Sequence, residues 1–377
     1  MPEGATLNCE KSITYGGGLE RRIIEGKVGQ PRPPGVAADP NGPGRAPAPA
    51  VRTLSIDAGS AGQRLDNFLA KVLKGVPKSH LHRVIRSGEV RVNMGRAAAD
   101  TRLDLGDKVR IPPVRTARRD DPAPAPGREF VVCHEDDHLL AIDKPAGIAV
   151  HGGSGESYGV IEQLRRARPG AAFLELVHRL DKDTSGLLLI AKTRKALVAL
   201  QNDLRSRSPE RAVGKTYAAL VAGDWPASRK VIDLALHKYV DADGGRRVRV
   251  VAADAAEGRR SITLVRVARR LGDFTLLEVT IKTGRTHQIR VHLTHEGHAI
   301  VGDPKYGDFA LNRAVARGAA VPGVRFDRMF LHARRLSFTH PASHQPVVLE
   351  SPLPAACEGF VQALASAAVR APSPTTA

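Results

Sequence analysis

The apolar run Leu187 to Ala191, closed by Lys192, constrains the fold more than any other stretch of this chain. A near-continuous apolar segment of that length predicts a strand buried on both faces. Just before it stands a polar knot: His178, Arg179, Asp181, Asp183, Thr184, Ser185 and Gly186. A loop so dense in ionisable groups, held at the end of a rigid strand, is a natural place for binding or catalysis. The same residues also suit an ordinary turn, in which Asp and Ser side chains satisfy backbone groups.

Charge narrows the partner. Lys and Arg total 57 against 39 Asp and Glu, an excess of 18, and only one unit of it falls in the first fifty residues, with six basic and five acidic side chains. So basic a chain is expected to meet a polyanion. Cys9, Cys133 and Cys357 are widely spaced, odd in number and without a CxxC pair. That pattern argues for a reducing cytosol and against a disulfide framework or a Cys-type zinc site. No run approaches the ~18 apolar residues of a membrane span, and the N-terminus lacks a hydrophobic signal core. The expectation is a cytoplasmic protein with no membrane segment. At 377 residues it has room for two domains and a core.

Residues 1–50 are rich in Pro, Gly and Ala with little to bury, and read as a disordered tail. From Val51 the texture changes. Leu65, Phe68, Leu69 and Val72 fall on one helical face, ended by Gly75-Val76-Pro77. Ser79 is placed to cap a second helix with Leu81, Val84 and Ile85 inward and His80, Arg83 and Arg86 outward. Gly88 ends it, EVRVN alternates with Val90 and Val92 inward, and DKVRI alternates again before Pro112-Pro113. Residues 52–115 hold thirteen basic and six acidic side chains, suited to a phosphate backbone or simply to a solvated face. RTARRDDPAPAPG then reads as a stiff linker.

Beyond it, FVVC and LLAID are strand-like around the acidic turn HEDDH, Ile148 to Val150 resumes an extended run, and Val160 to Arg168 looks helical. Arg194 to Arg207 predicts a basic amphipathic helix with Leu197, Leu200 and Leu204 on one face. In KTYAALVAG, alternation puts Tyr217, Ala219 and Val221 opposite Thr216, Ala218 and Leu220. Pattern alone makes Tyr217 a core tyrosine. RRVRVV, SITLVRV and FTLLEVTIK add strands, and Glu358 to Val369 an apolar helix. With no regular βαβ repeat, the class is α+β: a mixed, largely antiparallel sheet flanked by helices, preceded by a small α/β module.

Thr283 to His298 holds His287, His292, His295 and His298 with Arg285 and Arg290. The spacings fit neither HExxH nor a zinc finger, so no metal is expected. Two guanidinium groups beside a carboxylate loop suit phosphate contact and carboxylate pairing.

HRLDKDTSG, together with EDDHLLAIDKPAGIAVH, GKTYAALVAGDW, TGRTHQIRVHL, GDPKYGD and FLHARRLSFTHP in this order, resembles the RluA-type pseudouridine synthases over roughly residues 130–365. QRLDNFL, KSHLHRVIRSGEV and LDLGDKV resemble an S4 RNA-binding domain. The resemblance implies isomerisation of uridine to pseudouridine in large-subunit ribosomal RNA, closest to the family's subgroup C and next to subgroup D, by a monomer needing no cofactor. It makes Asp181 the nucleophile, Tyr217 the tyrosine stacked on the target base, Arg290 the partner of the aspartate and Ile289 its apolar neighbour against the base. Arg179 would enter the RNA stack where the target uridine leaves it. Arg285 and His287, with Lys78, Arg83 and Arg86 of the S4-like segment, count as further RNA contacts. The implied domains are 51–115 and 128–369, with a linker at 116–127 and a frayed tail at 370–377. A non-catalytic S4 protein and a hydrolase using Asp181 with Asp183 are the alternatives from other classes.

Overall fold

The computed structural model describes residues 50–370 apart from 74, 115–124, 154–155, 207–212, 243 and 321. Residues 1–49 of the expected tail, most of the expected linker and 371–377 lie outside the described residues.

The first module is a four-stranded antiparallel sheet with two helices. Its elements are β1 (Arg52–Ser55), α1 (Leu65–Val72), α2 (Lys78–Arg86), β2 (Arg91–Val92), β3 (Gly95–Arg96) and β4 (Lys108–Ile111), with sheet order β1-β4-β2-β3. The apolar faces read from the sequence meet in one core: Leu65, Phe68 and Leu69 of α1 and Leu81, Val84 and Ile85 of α2 pack with Val90, Leu103, Val109 and Ile111. Each such side chain contributes about 1.5–3 kcal/mol by leaving water, which makes a core of this size sufficient. Ser79 is not the cap of α2. Pro77 holds that place, its carbonyl accepting the amides of His80 and Leu81. A ring that presets φ and needs no N–H suits a helix entry as well as a hydroxyl does. Strand β1, which pairs antiparallel with β4, has no counterpart in the sequence reading.

Residues from Val131 onward build the larger module: β5 (Val131–Glu135), β6 (Leu139–Lys144), α3 (Val160–Ala167), β7 (Glu175–Leu176), β8 (Ser185–Ala191), α4 (Arg194–Arg205), β9 (Gly214–Ala222), β10 (Val231–Val240), β11 (Arg246–Val251), β12 (Arg259–Leu271), β13 (Phe274–Ile281), α5 (Gln288–His295), α6 (Phe309–Ala316), β14 (Leu331–Thr339), β15 (Pro346–Glu350) and α7 (Ala355–Arg370). Among the described residues, eleven strands form one sheet in the order β11-β10-β12-β13-β9-β14-β8-β6-β5, with β15 on β14 and β7 on β8. Pairing is antiparallel except between β14 and β8, so the fold is α+β with a mixed sheet.

Every residue of β8 is buried, and its two faces enter different cores. Leu188 and Ile190 pack with Ile142, Ala219, Val221 and Leu277. Leu187, Leu189 and Ala191 pack with Leu197 and Leu200 of α4 and with Leu336 and Phe338. This double burial is the reason the run carries no polar alternation. A third cluster seats Phe360, Val361 and Leu364 of α7 on Leu220 and Leu276. Residues Ile148 to Val150, expected to be extended, form no strand. Instead the carbonyls of Ala149 and Val150 accept the amides of Val160 and Ile161, serving the free donors of the first turn of α3.

Candidate active site

Three neighbouring strands assemble the site. Tyr217 on β9 lies opposite Ala333 on β14, and Ala333 lies opposite Gly186 at the start of β8. The loop carrying Asp181 runs directly into that glycine. Gly186 has φ +107, and a Cβ there would collide with the carbonyl oxygen of Ala333. Only glycine lets β14 approach so closely while the chain turns out of the Asp181 loop.

Lys144 holds the loop from beneath. Its ammonium is inaccessible to solvent and donates to the carbonyls of Pro145 (2.8 Å), Ile148 (2.8 Å) and Lys182 (3.0 Å). The Lys182 carbonyl also accepts the amide of Gly147, and Thr184 closes the turn onto the Asp181 carbonyl. Burial pushes the Lys144 ammonium down to about 7, against the attraction of Asp183. Replacement by Lys144→Met should leave the carbonyls of Pro145 and Ile148 without this donor at about 1–3 kcal/mol each, offset in part because no charge is then desolvated, while the Lys182 carbonyl keeps the Gly147 amide. Urea unfolding is expected to show a clear fall in midpoint for Lys144→Met and none for Lys195→Met at an exposed position.

Arg290, in the first turn of α5, is buried between two carboxylates. Its Nε and Nη2 donate to Asp303 Oδ2 and Oδ1, both at 2.7 Å, and its Nη1 donates to Asp181 Oδ2 at 3.2 Å. Asp303 is wholly buried and its Oδ1 also accepts the amides of Lys305 (2.8 Å) and Tyr306 (3.0 Å). The guanidinium lies 5.1 Å from the centre of the Tyr306 ring. Burial opposes the charge on Arg290, but Asp303 and Asp181 outweigh it and raise its pKa. The same bonds hold the Asp303 carboxyl below its ordinary range in spite of burial. One edge of the guanidinium is thus fixed by Asp303, and the remaining nitrogen is aimed at Asp181.

Ile289 is buried beside Arg290, and Tyr217 is buried in the same core, its hydroxyl pKa raised by burial and by Asp181. Asp181, Tyr217, Ile289 and Arg290 all line a cleft of about 1610 Å³, together with Arg179, Arg285 and His287. Among the described residues, ten Lys or Arg side chains line it against three carboxylates, a balance that concentrates a polyanion. Arg179 and Arg285 are exposed, whereas the Nδ1 of His287 is 2.8 Å from the Tyr306 hydroxyl and its Nε2 is 4.0 Å from Asp181. Lys78, Arg83 and Arg86 are exposed on α2, away from the buried face of that helix. Gln288 is buried and pins the loop before α5, donating to the Ile262 carbonyl and Thr263 hydroxyl and accepting from Thr283 and the Arg285 amide. The other histidines of this stretch go elsewhere, His292 to Thr263 and His298 to the Ala222 carbonyl.

Sequence reasoning gave no role to Lys144, Asp303 or Tyr306, although all three lie in the motifs DKPAG and GDPKYG. Nothing local announced them, since an Asp between Gly and Pro reads as a turn residue until a buried arginine is seen across from it.

Comparison with known proteins shows the family. A family model described as RNA pseudouridylate synthase matches residues 138–295, and an S4 domain model matches residues 63–109. Ribosomal large subunit pseudouridine synthase C of Escherichia coli is 46% identical over 325 residues, covering 85% of this chain and 98% of that protein. The chain belongs to the RNA pseudouridylate synthase family. The synthase of the same description from Vibrio vulnificus is 44% identical over 322 residues, covering 83% of this chain and 96% of its own. Among solved structures, human RNA pseudouridylate synthase domain containing 4 aligns with a TM-score of 0.50 at 25% identity, over 62% of this chain and 92% of its own. The present protein is accordingly an RNA pseudouridine synthase with an S4 domain. Among its described residues, no helix is long and apolar enough to cross a membrane.

Proposed function

We propose that this synthase converts uridines of large-subunit ribosomal RNA to pseudouridine, with Asp181 as the nucleophile acting on a uridine turned out of its stack. The observation that carries the reading is a carboxylate in the basic cleft held by Arg290 and flanked by Tyr217 and Ile289. The reaction breaks the C1′–N1 bond, turns the base, joins C1′ to C5 and releases the C5 proton. No electrons are gained or lost. A carboxylate can assist at a sugar carbon as nucleophile. A base stacked in a helix exposes neither C1′ nor C5, so it must leave the stack first, and Arg179, exposed at the cleft, would fill the gap. Tyr217 and Ile289 offer the flat and apolar surfaces against which the extruded base would rest. The names of the relatives support the choice of RNA.

Tritium release from C5-labelled large-subunit ribosomal RNA tests the reaction, and mapping pseudouridines in that RNA from a deletion strain tests the substrate. Loss of discrete pseudouridines is expected; an unchanged map overturns the assignment. The S4 module is read as an affinity device. Replacing Lys78, Arg83 and Arg86 together by Gln should flatten the slope of log affinity against log salt by about 0.7–0.9 for each of these side chains that meets a phosphate. Filter binding across a salt series measures it, and turnover at saturating RNA should be retained.

A further inference from the structure

We infer that His287 is a positioning residue for Asp181, locked by Tyr306 as a neutral imidazole whose Nε2–H faces the carboxylate. This rests on the reading of Asp181 as the reacting group. The tautomer follows from the hydrogen-bond chain. The amide of Val248 donates to the Tyr306 hydroxyl oxygen at 3.0 Å. That leaves the hydroxyl proton to be given away, and among the described residues the acceptor within reach is His287 Nδ1, at 2.8 Å. An imidazole that accepts at Nδ1 carries its proton on Nε2 when neutral. Nε2 lies 4.0 Å from Asp181 Oδ2, the same oxygen that receives Arg290 Nη1 at 3.2 Å. The guanidinium bonds that oxygen and the Nε2–H faces it from beyond hydrogen-bond distance, so Oδ1 is the oxygen left uncommitted to them and available to react.

The groups facing the ring from neighbouring elements favour the neutral form. Burial lowers its pKa first; Asp181 and Asp303 pull it up, and Arg290 and Lys305 push it down, with a net lowering. A neutral donor can orient a carboxylate without drawing its charge into a second ion pair. Tyr306 is itself held in place, since its carbonyl accepts the Thr294 hydroxyl at 2.9 Å and its ring faces the Arg290 guanidinium. His287 also sits at φ 52, in the left-handed region, as the residue preceding α5. That backbone gives the bland alternative, in which His287 is there for the turn alone.

Two substitutions separate the readings because their stability and activity orders are opposed. Asn tolerates the left-handed region far better than Gln does, so His287→Asn should fold at least as stably as His287→Gln. The amide of Gln, however, reaches the position of Nε2, while that of Asn reaches the position of Nδ1. Turnover of His287→Gln is therefore expected to exceed that of His287→Asn by about tenfold or more, with KM for the RNA changed by no more than about twofold. An activity order that follows the stability order overturns the proposal. Tyr306→Phe keeps the ring over Arg290 but removes the lock, and should lower kcat; wild-type kcat in that variant overturns it as well. Long-range ¹⁵N–¹H spectra of the histidine-labelled protein report the tautomer without any turnover. The expected wild-type signature is a neutral ring protonated at Nε2 near pH 7, replaced by a tautomer mixture in Tyr306→Phe; a ring protonated at Nδ1 or charged at that pH overturns the inference whatever Asp181 does.

Discussion

Asp181→Asn is expected to abolish turnover while leaving RNA binding and the fold intact. The amide is nearly the size of the carboxylate and can still meet Arg290, but it carries no charge and is a poor nucleophile. Because Asp181 is partly accessible at the cleft and not part of a hydrophobic core, its replacement leaves the apolar packing undisturbed. What it does strand is little: Arg290 keeps both bonds to Asp303. Loss of a covalent catalyst removes several orders of magnitude in rate, on the order of 10⁴ or more where the nucleophile is indispensable. Tritium release and filter binding, run on the same preparation, separate the two effects. Activity within tenfold of wild type would take Asp181 out of its role.

Arg290→Ala should be the most damaging substitution to the fold as well as to the rate. It leaves Asp303 buried with no cation and Asp181 without its donor, and breaking a buried pair costs about 3–5 kcal/mol. Arg290→Lys restores the charge but not the planar fork that bonds both oxygens of Asp303, so it should recover only part of either loss. The Asp303 carboxyl is held below its ordinary value of 3.8, chiefly by Arg290 against the effect of burial. Its contribution is fully present above that ordinary value and is lost as the pH falls through the lowered one. Asp303→Asn should therefore be less stable near neutrality and show a shallower loss of stability on acidification than the wild type. Chemical denaturation at pH 7 and at pH 3 measures both. An Arg290→Ala protein as stable as wild type would show that Asp303 finds its compensation elsewhere.

The secondary structure was largely legible because most of it rests on local periodicity. The fully apolar run at β8, the helical spacing of α1 and α2 and the alternation in β9 each report burial directly, and the two faces of β9 do enter different cores. Strand β14 was harder. Its alternation from Leu336 to Thr339 is cut off by a shift in register between Ala333 and Arg335, so that no period-2 pattern runs through the half that meets β8.

By itself, the sequence determined the polar loop and the basic surplus, because their chemistry is written in the chain, and it singled out Asp181, Tyr217, Ile289 and Arg290 through the order of motifs that carries the family resemblance. Only the tertiary structure decided how they meet. Asp181 and Arg290 are 109 residues apart and come together because β14 sets Tyr217 and Gly186 on either side of Ala333, and because Asp303 fixes the guanidinium so that one nitrogen is left for Asp181. It also gave Lys144 its place under the loop and turned His287 toward a carboxylate, since the Lys182 carbonyl and the Asp181 carboxylate that they face are distant along the chain and only the fold brings them near.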